Sequence, residues 1–396
     1  MKQFFSMTLA LCLLFSMALG FSGTASAESV EENTEEAVEE PVEETVAVPR
    51  LDYEAIYALH EPDEVVMTVG EQEITWGEYF YYFYRQAASV ESYFDSMAMY
   101  GTSCNWDDAI EEGGSETYAD FVLAGAAQTA LSIRALGGFV EENGFTLDDE
   151  GRAAIAEKEA EDIAAVLGED GTREELEAFL QEMYMPVAVY DYMNEVSALY
   201  QQGFRERYGE NGEKLSDEDA LAWMEAQGYM AANHILLLTM DMATYQALDD
   251  EVKAEKLAKA QSIAEELHAI EEQDALLARF AALKEEFDED TGKVAYPDGY
   301  VFTPGTMVSE FEEATRSQEP YQVSDPVEST YGYHVIMTMP LNPNAVLQYS
   351  SAGTPQTARA LAANDLYADA VDTYAQTLEL TWLEGYEAPD LLAFVK

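Results

Sequence analysis

Two periodicities divide the chain. Between residues 51 and 228 apolar positions recur mostly at three- and four-residue spacing, as in helices with one buried face. The exception is the entrance, where Val65 to Val69 reads as a strand, Gly70-Glu71-Gln72-Glu73 as a turn and Ile74-Thr75 as a second short strand. The helix that follows carries Tyr79, Phe80, Tyr82, Phe83 and Phe94 as a broad aromatic face. Further helical patterns run from about Glu116 to Asn143, from Asp148 to Leu167, and from a capping box at Thr172 and Glu175 to about Tyr208. Gly144, Gly168, Gly209 and Gly212 punctuate them. Aromatic and Met side chains of this region are read as core, although a groove for other chains wants the same residues.

At Tyr229 the texture changes. Ala231 to Leu238 is a short apolar run suited to a buried strand, and an amphipathic helix from about Lys253 to Phe287 carries Ile263, Leu267, Ile270, Leu277, Phe280 and Leu283. A loop rich in Asp, Gly and Pro leads to Gly299 to Phe302, a Pro304-Gly305 turn, a short acidic helix from Val308 to Thr315 and a last strand from Gly332 to Met337. Pro340 to Pro355 reads as a linker and Gln356 to Leu378 as a final helix, after which Thr381, Trp382 and the tail are expected to return to the helical part. The predicted fold class is α+β: a mostly helical domain, residues 51–228, with an inserted α+β domain at 229–340 and a linker and returning helix at 341–396.

The amino terminus adds an address. Lys2, an apolar run from Phe4 to Phe21 and Ala25-Ser26-Ala27 form a signal-peptide pattern, residues 1–27, with cleavage expected after Ala27. The small-residue site and the polar sequence behind it favour removal over retention as an anchor. Lipid attachment at Cys12 is rejected because Leu11 is too large and the cysteine sits inside the apolar run. Residues 28–50 follow as a spacer, with nine glutamates and no cation between Glu28 and Pro49, a composition that favours disorder. Processing would leave Cys104 as the one cysteine, and a single thiol forms neither an intramolecular disulfide nor a zinc site.

Charge narrows the partners. Of 396 residues 78 are acidic and 19 are Lys or Arg, a net charge of −59, yet 48% are hydrophobic, so the chain is acidic and still able to build cores. Such a surface repels nucleic acid and anionic lipid, and it favours neutral or basic partners. Asp288-Glu289-Asp290-Thr291-Gly292 opens like a calcium loop, but Gly292, Lys293 and Gly299 stand where an oxygen ligand, a glycine and a glutamate are needed. No metal and no cofactor are expected. Of the four histidines, His234 and His334 lie in the strands that begin and end the inserted module, which places both near the middle of one sheet.

These strands, with Phe302-Thr303-Pro304-Gly305-Thr306-Met307-Val308-Ser309-Glu310-Phe311-Glu312 and Ser329-Thr330-Tyr331-Gly332-Tyr333-His334, resemble the signature stretches of parvulin-type peptidyl-prolyl cis-trans isomerases. The flanking architecture is similar to extracytoplasmic foldases of the PrsA and SurA kind. The resemblance implies that Met307, Phe311 and Phe302 hold a proline ring and that His234 and His334 form a hydrogen-bonded scaffold. It puts Asp290 near the substrate amide and Ser329 in the link to the histidines. It implies as substrates unfolded or partly folded secreted polypeptides with X-Pro bonds, with no stable membrane insertion after processing. Tyr296-Pro297-Asp298-Gly299-Tyr300 departs from the family's Gly-Gly-Asp-Leu-Gly loop, and Thr315 to Gln318 is polar where the family is apolar, which predicts a weaker local core. Without a basic cluster at the pocket, selection for phosphorylated Ser-Pro or Thr-Pro is not expected. Two rival functions remain: a holdase with a degenerate parvulin domain, and an acidic cation-binding or adhesive surface protein.

Overall fold

The computed structural model describes residues 47–396, apart from 112 and 352. The expected signal peptide, its cleavage site and the glutamate repeats lie outside the described residues. Among those described, no helix is long and apolar enough to cross a membrane. The end of the expected spacer is tied down: Val48 packs on the helical core, and Arg50 pairs with Glu91 and Asp95.

A short helix, α1 (Tyr53–Tyr57), precedes a hairpin of β1 (Val65–Val69) and β2 (Gln72–Thr75). The Thr75 hydroxyl accepts the N–H of Glu78 and so starts α2 (Trp76–Met99). Helix α3 (Tyr118–Glu142) opens with a reciprocal capping box of Thr117 and Asp120. Next come α4 (Asp149–Leu167), α5 (Arg173–Glu182), opened by the Thr172–Glu175 box, and α6 (Val187–Tyr208). The one helical run read from 172 to 208 is thus two helices. Pro186 brings no N–H and disfavours helical backbone at Met185, and Tyr184 turns the chain at a left-handed φ of 58°.

Beyond α7 (Asp217–Ala226) come β3 (Met230–Leu238), a small hairpin of β4 (Met240–Asp241) and β5 (Gln246–Ala247), and then α8 (Asp250–His268) and α9 (Gln273–Phe287). The single amphipathic helix expected from 253 to 287 is also two. Glu272 ends the break by accepting the N–H groups of Asp274 and Ala275, an N-cap inside an apolar stripe that runs on because both helices face the same sheet. After β6 (Tyr300–Phe302), α10 (Ser309–Arg316), β7 (Val327–Glu328) and β8 (Gly332–Met339), the expected linker contains a hairpin of β9 (Val346–Tyr349) and β10 (Pro355–Thr357). The chain closes with α11 (Ala358–Ala375) and β11 (Leu380–Trp382).

The chain divides into two compact units, the first holding residues up to 206 together with 367–396, the second residues 207–366. In the first, β1 is the central strand of a sheet ordered β11-β1-β2, with Trp382 opposite Met67 and Leu380 opposite Val69. Helix α2 is buried on more than one face: Trp76, Tyr79, Phe80, Tyr82, Phe83 and Phe94 are at most 1% exposed. The aromatic face is therefore core, each such side chain contributing about 1.5–3 kcal/mol of burial.

The second unit is built on an antiparallel sheet ordered β6-β3-β8-β7. Strands β3 and β8 pair from Ala231 opposite Met339 to Leu238 opposite Gly332. Alternation sends Ile235, Leu237, Tyr333, Val335 and Met337 to one face, under α8 and α9. The opposite face receives Ala232 and Ile336, packed with Phe302 and Phe311 under α10. Gly332 is required where β8 begins, since a Cβ there would stand 2.1 Å from the Leu237 carbonyl oxygen.

Candidate active site

His234 and His334 share a strand parity with Ile336, so both project from the face that carries α10. Register sets His234 opposite Ile336 and His334 opposite Leu236, which makes the histidines diagonal neighbours with ring centroids 5.2 Å apart. Both are buried, at 6% and 4% exposure. Phe311 of α10 lies against the pair, 5.3 Å from the His234 ring and 5.7 Å from the His334 ring.

A chain of hydrogen bonds runs through them. Asp290 Oδ2 lies 3.1 Å from His234 Nε2, His234 Nδ1 lies 3.4 Å from His334 Nδ1, and His334 Nε2 lies 2.7 Å from Ser329 Oγ. The hydrogen bond from His234, with those from the Tyr300 phenol at 2.6 Å and the Gly292 N–H at 2.9 Å, holds Asp290 far below the usual carboxylate range against the effect of its burial. Burial, aided by His234, pushes His334 down to about 3, so that imidazole is neutral at pH 7. An ionised Asp290 only accepts, which puts a proton on His234 Nε2. With His234 neutral, its Nδ1 accepts from His334 Nδ1–H and His334 Nε2 accepts from Ser329. A second proton on His234 would reverse both bonds.

The pocket in front of this chain measures about 350 Å³, and its lining includes Met307, Phe311, Leu236, His234, His334 and Asp290. The loop that presents Met307 is pinned by Glu312, whose Oε1 accepts the N–H groups of Gly305 at 2.8 Å and Met307 at 3.0 Å. Of the seven residues singled out from sequence, the structure brings Met307, Phe311, His234, His334 and Asp290 to the pocket lining. Phe302 and Ser329 stand behind it: Phe302 is buried with its ring 5.7 Å from Phe311, and Ser329 ends the hydrogen-bonded chain. Ser329 also accepts the Tyr331 N–H, which holds its hydroxyl between that backbone group and His334.

Sequence reasoning missed Tyr300, Tyr331 and Met242 in the lining, and Glu312 behind it. Alternation along β6 could have found Tyr300, two residues from Phe302. Nothing in the pattern pointed to Met242, which follows β4. The calcium-like run has other employment: Asp288 Oδ1 accepts the Leu236 N–H and Glu289 Oε2 the Leu238 N–H, covering an edge of β3 that β6 is too short to reach. Thr315, expected to weaken the core, is buried yet satisfied, its hydroxyl donating to the Phe311 carbonyl at 2.9 Å.

The module is thus a four-stranded antiparallel sheet with two helices on one face and a short helix over a buried histidine pair on the other. Residues 234–339 match the family model "Rotamase: PPIC-type PPIASE domain". The chain is 52% identical over 58 residues to Foldase protein PrsA 3 of Bacillus cereus, covering 14% of this chain and 20% of that one. It is 35% identical over 133 residues to Foldase protein PrsA of Halalkalibacterium halodurans, covering 33% and 34%. The chain thus spans about a fifth to a third of the length of these relatives. The crystal structure of PrsA from Bacillus subtilis aligns over 69% of this chain and 92% of that one at 19% identity, with a TM-score of 0.23.

Proposed function

We propose that the protein is an exported peptidyl-prolyl cis-trans isomerase and chaperone that acts on unfolded or partly folded secreted chains. Rotation about an X-Pro bond is opposed by partial double-bond character worth about 18–20 kcal/mol, and no bond to carbon need break. The observation that carries the reading is a pocket with an apolar wall, Met307 and Phe311, set against a buried histidine pair and a carboxylate. Met307 and Phe311 grip the proline ring. Asp290, Tyr300 and the imidazoles lie where the amide turns, and a twisted amide, which has lost resonance, is favoured there over either planar form. His234, His334 and Ser329 position these groups without forming a covalent intermediate.

The test is isomerisation of a proline tetrapeptide and proline-limited refolding of a protein substrate, both with the full chain. We expect acceleration of both, and at least a tenfold loss of kcat/KM for Met307→Ala, equivalent to about 1.4 kcal/mol of transition-state binding. A folded protein that accelerates neither would overturn the catalytic reading.

A further inference from the structure

The helical unit holds a cavity of its own. It measures about 890 Å³ and is walled by Tyr57, Tyr184, Pro62, Pro186, Val187 and Val189. Its floor is the ion pair of Glu78, 2% exposed, with Arg134, whose Nε lies 3.0 Å from Glu78 Oε1 and whose guanidinium sits 4.5 Å above the Tyr192 ring. That pair cancels its own charge. At the rim remain Asp63, Glu174 and Glu177, with no cation of the lining left to face them. Asp63 and Glu174 are exposed, whereas Glu177 is shared with Arg173. Tyr184 is locked into the wall, its ring within 5.0 to 5.2 Å of Tyr57, Phe80 and Tyr84. The wall is therefore preformed, and its rigid rings bind apolar matter at small cost in conformational entropy.

We propose that this cavity binds segments of unfolded polypeptide in which an aromatic or aliphatic side chain is flanked by Lys or Arg. The apolar side chain enters between Tyr57, Tyr184 and the two prolines, and the flanking cations meet Asp63 and Glu174. The rim excludes acidic segments by like-charge repulsion. This rests on the reading of the protein as one that handles unfolded chains, and it gives that reading a site and a preference separate from proline.

The test uses the full chain and a fluorescent octapeptide with a central Phe-Leu flanked by lysines, together with its glutamate-flanked twin; neither contains proline. An exposed ion pair is worth a factor of about 1.5 to 5, so the lysine peptide should bind about tenfold tighter than its twin, with the difference shrinking in salt. Ala178 and Ala188 line the cavity at exposed positions, so Ala178→Trp and Ala188→Trp should fill it without disturbing the core. Each should weaken binding at least tenfold and leave tetrapeptide isomerisation unchanged. Asp63→Lys with Glu174→Lys should reverse the preference between the twins. Binding untouched by the tryptophan variants, or a preference that survives the charge reversal, would overturn the assignment. A chain that binds the lysine peptide here but does not isomerise the tetrapeptide keeps this cavity and overturns the catalytic reading instead.

Discussion

At the scale of single residues, the histidine network ties stability to acidity. Unfolded His334 takes up a proton near 6.5, whereas the folded residue resists until about 3, so between these values the unfolded chain binds more protons and stability falls as pH falls. Asp290, with its pKa depressed, adds a loss of the same sign below the ordinary carboxylate range. The urea midpoint of the second unit should therefore drop between pH 7 and pH 4, with His334 contributing on the order of 2–3 kcal/mol. His334→Gln should be less stable at pH 7 but flatter in pH; an unaltered slope would remove His334 from this role. Tyr300 is the other residue on which the site turns. Its phenol and His234 share one oxygen of Asp290, and Gly292 is small because a Cβ there would lie 2.1 Å from the Tyr300 hydroxyl. Tyr300→Phe should lower kcat/KM about tenfold through the lost charge-assisted bond. A cycle with Asp290→Asn should be less than additive by at least about 1 kcal/mol, whereas strictly additive losses would mean that the two act independently.

At the scale of elements, Glu312 connects α10 to the loop from Thr303 to Met307, and its burial at 8% exposure is matched by two backbone donors. Glu312→Ala leaves those N–H groups without their acceptor and frees Met307 to leave the pocket. We expect a several-fold rise in KM with a smaller change in kcat, and recovery with Glu312→Gln, whose side-chain oxygen still accepts; equal effects of both substitutions would argue against pinning. The same scale shows what was legible in the chain. Strands β3, β6 and β8 of the second unit, and the placing of His234 and His334 near the middle of one sheet, could be read directly, because a strand buried on both faces is a short continuous apolar run between turns, whereas β4, β5, β7, β9 and β10 are too short to leave such a run. The breaks at Tyr184 and before Glu272 could not. An apolar stripe reports which face is buried, and two helices packed on one surface carry a stripe as continuous as one helix does. Glu312 escaped for a related reason: in the pattern it is one acid among several on a short acidic helix, and only the fold shows that its carboxylate turns inward to the loop while Glu310 stays exposed. Thr315 misled in the opposite direction, since a polar residue at a core position looks costly until its hydroxyl finds the Phe311 carbonyl one turn back.

At the scale of the molecule, β3 and β8 start and end the sheet as partners, Ala231 lying opposite Met339, so the two points where the chain enters and leaves the module are a strand spacing apart. What lies outside them within the second unit holds together by itself: Arg359 bonds the Leu215 carbonyl and Asp217, and Trp223 Nε1 donates to Asp365 at 3.1 Å. Excising residues 230–339 and joining 229 to 340 with a short Gly/Ser segment should therefore leave a folded protein. That variant should lose all catalysis of prolyl isomerisation. It should still suppress aggregation of an unfolded substrate, because the cavity walled by Tyr57 and Tyr184 is made only of residues before 193. A basic substrate should be protected best and lose that protection as salt rises, since the attraction of a chain carrying −59 is screened over about 8–10 Å at physiological ionic strength. Protection that disappears with the module, in a variant whose helical signal and melting curve show it folded, would locate holding and isomerising in the same unit and deny the helical unit a function of its own.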